Sequence, residues 1–206
     1  MAEGEATTDR PAIITRRGRP GHDRDTVIRA SVALFNEQGY DATSVSDLTR
    51  RLGVTKSALY HHVASKEQIL EVALEDALGG LEHALDAALR SPTAAERLSS
   101  IIRGAVQVLT ERQPQVTLLL RLRGNSPIEL AALDRRRRFD HRVTQLVRDA
   151  QSEGLVRADL DAGVATRLVF GMINSVVEWY RPEGAVDPAL LADEVLAVAF
   201  DGLRPR

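Results

Sequence analysis

Twenty-four residues, TSVSDLTRRLGVTKSALYHHVASK (43–66), leave few folds open to the chain that contains them. Val45, Leu48 and Leu52 recur at spacings of three, four and seven, which sets them on one face of a short helix. Gly53 follows, the residue that most readily takes the left-handed conformation that stops a helix. Thr55 then offers an N-cap hydroxyl to a second helix, whose Leu59 and Val63 turn inward. Two short amphipathic helices joined through one glycine form a helix-turn-helix. The outward side of the second helix presents Lys56, Ser57, Ala58, Tyr60 and His61. A cation, a hydroxyl, a methyl and two polar-tipped rings suit a DNA groove better than a protein core.

The residues before this stretch, DTVIRASVALFNEQGYDATSVSDL (25–48), add to the pattern. Leu34-Phe35, Gly39-Tyr40, Thr43-Ser44-Val45, Leu48, Gly53-Val54, Leu59-Tyr60, His62 and Ser65-Lys66-Glu67, in this order and spacing, resemble the N-terminal DNA-binding domain of TetR-family transcriptional regulators. The likeness covers roughly the first third of the chain. It implies an all-α protein of about nine helices: a flexible basic N-terminal arm (1–21), a three-helix DNA-binding domain (22–66) and a larger helical ligand-binding and dimerisation domain (67–206). It also implies that Lys56, Ser57, Ala58, Tyr60 and His61 occupy base- and backbone-facing positions. Lys56 suits guanine O6 and N7, Ala58 a thymine methyl, Tyr60 a phosphate, and His61 either base or phosphate. Thr43 is expected to cap the second helix and to face a phosphate with its hydroxyl or N–H. Lys66, in the first turn of the fourth helix, is expected to position the domain on phosphate without reading sequence. His62 lies on the Leu59 and Val63 side and is expected to pack between helices.

Charge agrees with this division. Residues 10–66 hold ten Lys or Arg against five Asp or Glu, a balance of +5 in a chain whose formal charge is −2. A basic module on an acidic body fits a nucleic-acid partner for one part only. Within the arm, Arg16-Arg17-Gly18-Arg19-Pro20 has the composition that enters an A·T-rich minor groove or meets phosphate, so Arg17 and Arg19 join the DNA-binding candidates. The absence of cysteine excludes disulfides and thiolate zinc sites and suits a reducing cytoplasm. No apolar run approaches the roughly 20 residues of a membrane span, and the N-terminus has no signal-peptide core. A cytoplasmic protein without membrane contact is expected. There is no His-Glu pair at zinc spacing, no Gly-rich phosphate loop and no nucleophile elbow. His22, His61, His62, His83 and His141 form no metal or triad signature, so neither enzymatic activity nor a cofactor is expected.

Ala, Leu, Val, Glu and Arg dominate and Gly and Pro cluster at boundaries, as in an all-helical chain. A first helix is expected over 23–38, ended by Gly39. Ser65 caps the fourth, with Gln68 completing a capping box. That helix reaches about residue 89 through Gly79-Gly80, where each glycine costs about 1 kcal/mol relative to Ala and predicts a kink or hinge. Further helices are expected over 93–112, 114–123, 128–152 and 161–180 and from 187 onward. The last two offer more apolar surface than one small core uses, so they are expected to meet a second copy as a four-helix bundle. Dimerisation through them is also what the resemblance implies. Two recognition helices would then fall about 34 Å apart on a palindromic operator.

A ligand cavity between helices four and eight should be apolar with a few polar groups. Polar residues embedded in apolar runs are its candidates: Arg103, Gln107, Arg121, Arg123, Asn174, Trp179, Tyr180 and Arg181. Gly171 to Asn174, followed by VEWYRPEG (177–184), resembles the end of helix eight in TetR-family repressors that respond to acyl-CoA thioesters. A long apolar slot suits an acyl chain and nearby arginines suit CoA phosphates. The alternative effector is a hydrophobic drug or aromatic compound, as for repressors of efflux pumps. The few aromatics after the head, Phe139, Phe170, Trp179, Tyr180 and Phe200, tilt against it. A dimeric scaffold without any ligand is the other class. Arg135-Arg136-Arg137-Arg138 wraps around its helix, either as a solvated face or as a phosphate-binding rim at the cavity mouth.

Overall fold

The computed structural model describes residues 23–203. The arm that carries Arg17 and Arg19 lies outside the described residues. Nine α-helices follow one another among the described residues: α1 (Arg24–Gln38), α2 (Val45–Leu52), α3 (Lys56–His62), α4 (Lys66–Ala88), α5 (Ala94–Glu111), α6 (Gln113–Leu120), α7 (Pro127–Ser152), α8 (Ala162–Trp179) and α9 (Pro188–Leu203). None is long and apolar enough to cross a membrane.

Local chemistry sets most boundaries. Asp23, Thr55, Ser65, Ser126 and Asp161 each accept a backbone N–H of the first turn that follows them, and Thr93 does so as half of a capping box with Glu96. Gly53 stops α2 in the left-handed conformation, φ 65° and ψ 33°. Two expected caps differ. Ser44, not Thr43, caps α2, in a reciprocal box with Asp47. Thr43 is buried, and its hydroxyl donates to the Gly39 carbonyl at 2.7 Å. Gln68 does not close on the Ser65 backbone; its Oε1 accepts the Ala64 N–H at 2.7 Å.

Helix α4 continues through Gly79 and Gly80, as expected. A packing demand explains Gly80. A Cβ built there would lie 2.1 Å from Arg112 Nη1, and that guanidinium donates to the Asp76 carbonyl at 2.7 Å. The missing side chain admits an arginine from the α5–α6 junction onto the α4 backbone.

Two apolar clusters hold the helices together. The first runs from the head (Phe35, Leu48, Leu59) along α4 (Ile69, Leu70) into the body (Leu109, Leu119, Ile173). The second fills the far end with Leu85, Ile101, Phe139 and Leu146. Leu81, Phe170 and Phe200 pack against both. Each fully buried Leu, Ile or Phe contributes about 1.5–3 kcal/mol over its exposed state, so α4 is fixed at both ends by burial.

The α6–α7 loop seats on the head. Asn125 Nδ2 donates to Asp41 at 2.6 Å, Arg121 Nη1 to the Asn36 carbonyl at 2.6 Å, and Asn36 Nδ2 to the Pro114 carbonyl at 2.8 Å. Helix α6, which lines the cavity with Val116, Leu119 and Leu120, thus also bonds to the head through Pro114.

Candidate functional site

The outer face of α3 is polar and exposed. Leu59 and Val63 anchor the helix at 1% and 3% exposure, so its register is fixed by burial. Lys56, Ser57, Tyr60 and His61 are exposed, and Ala58 is half-buried beneath them. The Lys56 ammonium stands 5.9 Å from the Tyr60 ring centroid. His62 is half-buried. On α2, Arg50 pairs with Asp47 and Arg51 with Glu37, which leaves Lys56 as a cation of α3 without an acidic partner among the described residues.

Lys66 is committed to the frame of the head. Its ammonium donates to the carbonyls of Tyr40 (2.9 Å) and Thr43 (3.0 Å) and lies 4.1 Å over the Tyr40 ring. Tyr40 meets Phe35 edge-on at 5.1 Å. Burial, then Glu67 and Asp41, push its phenol up to about 12, so it stays neutral. Thr43 is buried with its hydroxyl and N–H both bonded internally, which leaves neither for a phosphate. Lys66→Met is expected to destabilise the α1–α2 turn by about 1–3 kcal/mol, because two carbonyls lose a charged donor. Hydrogen exchange at residues 40–44 reads this directly; unchanged protection would restrict Lys66 to a phosphate role.

The body holds a partly open cavity of about 160 Å³ between α4, α6, α7 and α8. Leu81, Val116, Leu119, Leu120, Phe139 and Phe170 form its apolar wall. Arg136, Asp140, Thr166, Arg167 and Asn174 gather at its polar side. Thr166 and Phe170 also border a narrow, mostly apolar extension of about 20 Å³ lined by Leu98, Ile101, Val143, Val147 and Phe200. Phe139 and Phe170 meet edge-on at 5.5 Å. Burial raises the Asp140 carboxyl above its ordinary value, against the pull of Arg136, His141 and Arg167.

A helix-turn-helix head on a helical body with an internal cavity can be compared with known proteins. Residues 27–73 match the bacterial regulatory proteins of the tetR family, and residues 91–203 match the tetracyclin repressor-like C-terminal domain. The chain belongs to the TetR family. Within this family it is similar to the crystal structure of SCO3833 from Streptomyces coelicolor A3, at 50% identity and a TM-score of 0.81, over 87% of this chain and 92% of that one. The regulator TcmR of Streptomyces glaucescens is 31% identical, over 97% of this chain and 94% of its own. KstR2 of Mycobacterium tuberculosis, a ketosteroid transcriptional regulator, is 25% identical in its solved structure, with a TM-score of 0.81 over 92% of this chain and 98% of that one.

For a TetR-family body, the eight expected ligand residues fall in three places. Asn174 alone lines the cavity. Arg121 and Arg123 line a separate groove of about 500 Å³ between the head and the α6–α7 loop. The other five line neither. Arg103 pairs with Asp193 of α9, and Gln107 donates to Glu111, both on the exposed face of α5 opposite Ile102, Ala105 and Leu109. Tyr180 is buried in the core at 3% exposure, Trp179 is half exposed, and Arg181 folds back onto the Tyr180 carbonyl. Of the polar residues that do line the cavity, Asp140, Thr166 and Arg167 were missed, and Arg136 was named only within the run of four arginines. Arg136 and Asp140 stand four apart on the stripe that continues to Val143 and Val147, which is the signal that could have found them. The arginine run divides accordingly. Arg135 clamps Glu75 and Glu82 of α4, Arg138 pairs with Asp134, Arg137 is exposed, and Arg136 enters the cavity.

Proposed function

We propose that this TetR-family protein is a ligand-responsive cytoplasmic repressor that holds a palindromic operator as a homodimer and releases it when a small molecule fills the cavity. The observation that carries the reading is the cavity itself, basic at one side and apolar along its wall, on the helix that also seats the head. An acyl-CoA thioester from a catabolic pathway is the effector class that suits it. The chain would lie against the apolar wall of Leu81, Val116, Leu119 and Leu120, and the arginines would meet the polar portion. Only two aromatic rings, Phe139 and Phe170, line the main cavity, which favours this class over the aromatic effectors of an efflux-pump repressor.

Dimerisation through α8 and α9 is supported by the apolar side chains left exposed there. Leu168, Leu190, Val198 and Trp179 are 69%, 64%, 61% and 50% exposed. An open groove of about 330 Å³ runs between the two helices, walled by Val164, Leu168, Val169, Met172 and Val198. Apolar patches of this kind mark interfaces.

On DNA, Lys56, Ser57, Ala58 and His61 read bases, and Tyr60 meets phosphate. Lys56→Ala is expected to relax preference at one base step, at a cost of about 1–3 kcal/mol. Operator variants titrated by fluorescence anisotropy measure it. An unchanged preference would mean that α3 enters the groove in another orientation. The same assay, on the DNA upstream of the protein's own gene, tests the effector. Release by a CoA thioester and not by its free acid is expected. Release by aromatic compounds alone would move the protein to the efflux class, and release by nothing would leave only the DNA-binding reading.

A further inference from the structure

Helix α7 commits most of its charges to partners and leaves two inside the cavity uncommitted. Arg135 is held by Glu75 and Glu82, Arg138 by Asp134, and Arg142 by Asp86 at 2.6 Å. Arg136 and Asp140, on the cavity side of the same helix, are half-buried. Among the described residues nothing hydrogen-bonds the Asp140 carboxylate; Thr144 uses only its backbone carbonyl, at 2.8 Å. Neither Arg136 nor Arg167 is drawn into an ion pair with it, although all three line one cavity. Asn36 Oδ1 is the one sealed side-chain acceptor without a partner among the described residues, so the Asp140 oxygens are not sealed and stand open to a donor on the cavity side.

We propose that Asp140 is a specificity-determining residue that accepts a hydrogen bond from a hydroxyl on the effector's acyl group, so that the effector is a hydroxylated acyl thioester. This inference rests on the thioester reading of the cavity. The order of residues along α7 supports it. Arg136 offers donors, Asp140 one turn further offers an acceptor, and Val143 and Val147 beyond them wall the apolar extension. Side chains four apart on a helix stand about 5–6 Å from each other at Cβ. A ligand lying along α7 would thus meet a donor, then an acceptor, then hydrocarbon. A 3-hydroxyacyl thioester carries these features in the matching order: a carbonyl oxygen, a hydroxyl two carbons on, then an alkyl chain. The exposed Arg167 leaves a cation at the polar side for the part of the ligand that remains outside. A bare carboxylate placed at Asp140 would be repelled, which disfavours free acids.

Calorimetric titration of the full chain with hexanoyl-CoA and 3-hydroxyhexanoyl-CoA tests the assignment. The hydroxylated thioester is expected to bind about tenfold more tightly, the scale of one hydrogen bond to a charged group. Asp140→Leu should remove the preference by weakening that ligand alone. Asp140→Asn, which keeps an acceptor of the same shape, should retain part of it. Equal binding of both thioesters to the unaltered protein would overturn the role of Asp140 and leave the thioester reading standing. Equal weakening of both by Asp140→Leu would also overturn it, since the lost contact would then lie in the shared pantetheine or in the fold. Binding of neither thioester would remove the thioester reading and this inference together.

Discussion

Glu129→Ala is expected to lower the melting temperature by roughly 6–12 °C, although the residue is polar and lines neither the α3 face nor the cavity. The carboxylate is 3% exposed at the start of α7. Its Oε2 accepts the consecutive N–H groups of Arg123, Gly124 and Asn125 at 3.0, 2.9 and 3.3 Å, and its Oε1 accepts the Ser126 hydroxyl at 3.2 Å. Three successive N–H groups curled around one anion form a nest, which Gly124 permits by taking φ 84°. Hydrogen bonds to a charged group contribute about 1.5–3 kcal/mol each, and donors left without an acceptor cost about 1–3 kcal/mol. Allowing for relaxation and water entry, a net loss of about 3 kcal/mol follows. At this chain length each kcal/mol lowers the midpoint by about 2–4 °C. Circular dichroism melts measure it, and a midpoint within about 2 °C of the unaltered protein would mean that solvent already shares the nest. The same loop carries Asn125 to Asp41 and follows Arg121 at the Asn36 carbonyl, so the variant should also loosen the head from the body.

That nest shows where sequence reading stops. The head was legible because its signals are local: Gly53 needs only its own conformation, Thr55 only the N–H three residues on, and Leu59 only the period of α3. Thr43 and Ser44 were exchanged as caps because both carry a suitable hydroxyl. Burial of Thr43 and the nearby Gly39 carbonyl decide between them, and neither is a property of the dipeptide. The body was legible as helices and buried stripes. Periodicity says which residues share a face but not what that face meets. Hence Arg103 and Gln107 were placed in the cavity when they lie on the outer side of α5, and Arg136 was left within a run of four arginines that have different environments. Lys66 reads as a free cation in sequence because its two acceptors come from residues 23 and 26 positions earlier.

Gly104 and Gly80 carry the last expectation, since an added side chain should be tolerated at Gly80 and not at Gly104. Both are helical glycines, and replacing either with Ala would stabilise an isolated helix by about 1 kcal/mol. At Gly104, on α5, the new Cβ would lie 2.7 Å from the Cβ of Ala84 and 3.6 Å from its Cα. Ala84 has no rotamer to change, so α4 and α5 must separate along a seam that both apolar clusters use. Overpacking of this kind costs about 1–3 kcal/mol, which exceeds the helical gain, and Gly104→Val should fall at the upper end or beyond. At Gly80 the nearest atoms belong to the guanidinium of Arg112, the end of a flexible side chain, with Val108 Cγ1 at 3.2 Å. Gly80→Ala would swing Arg112 off the Asp76 carbonyl and off a partly exposed ion pair at 3.3 Å. Such a contact is worth about 1 kcal/mol or less, so the helical gain offsets it. Urea denaturation should therefore place Gly80→Ala within about 1 kcal/mol of the unaltered protein and Gly104→Val about 3 kcal/mol below it. The reverse order would mean that Arg112, not the α4–α5 seam, holds α4 in place. Leu81, the residue after Gly80, lines the cavity, so whichever contact fixes α4 also fixes the wall against which an effector must press.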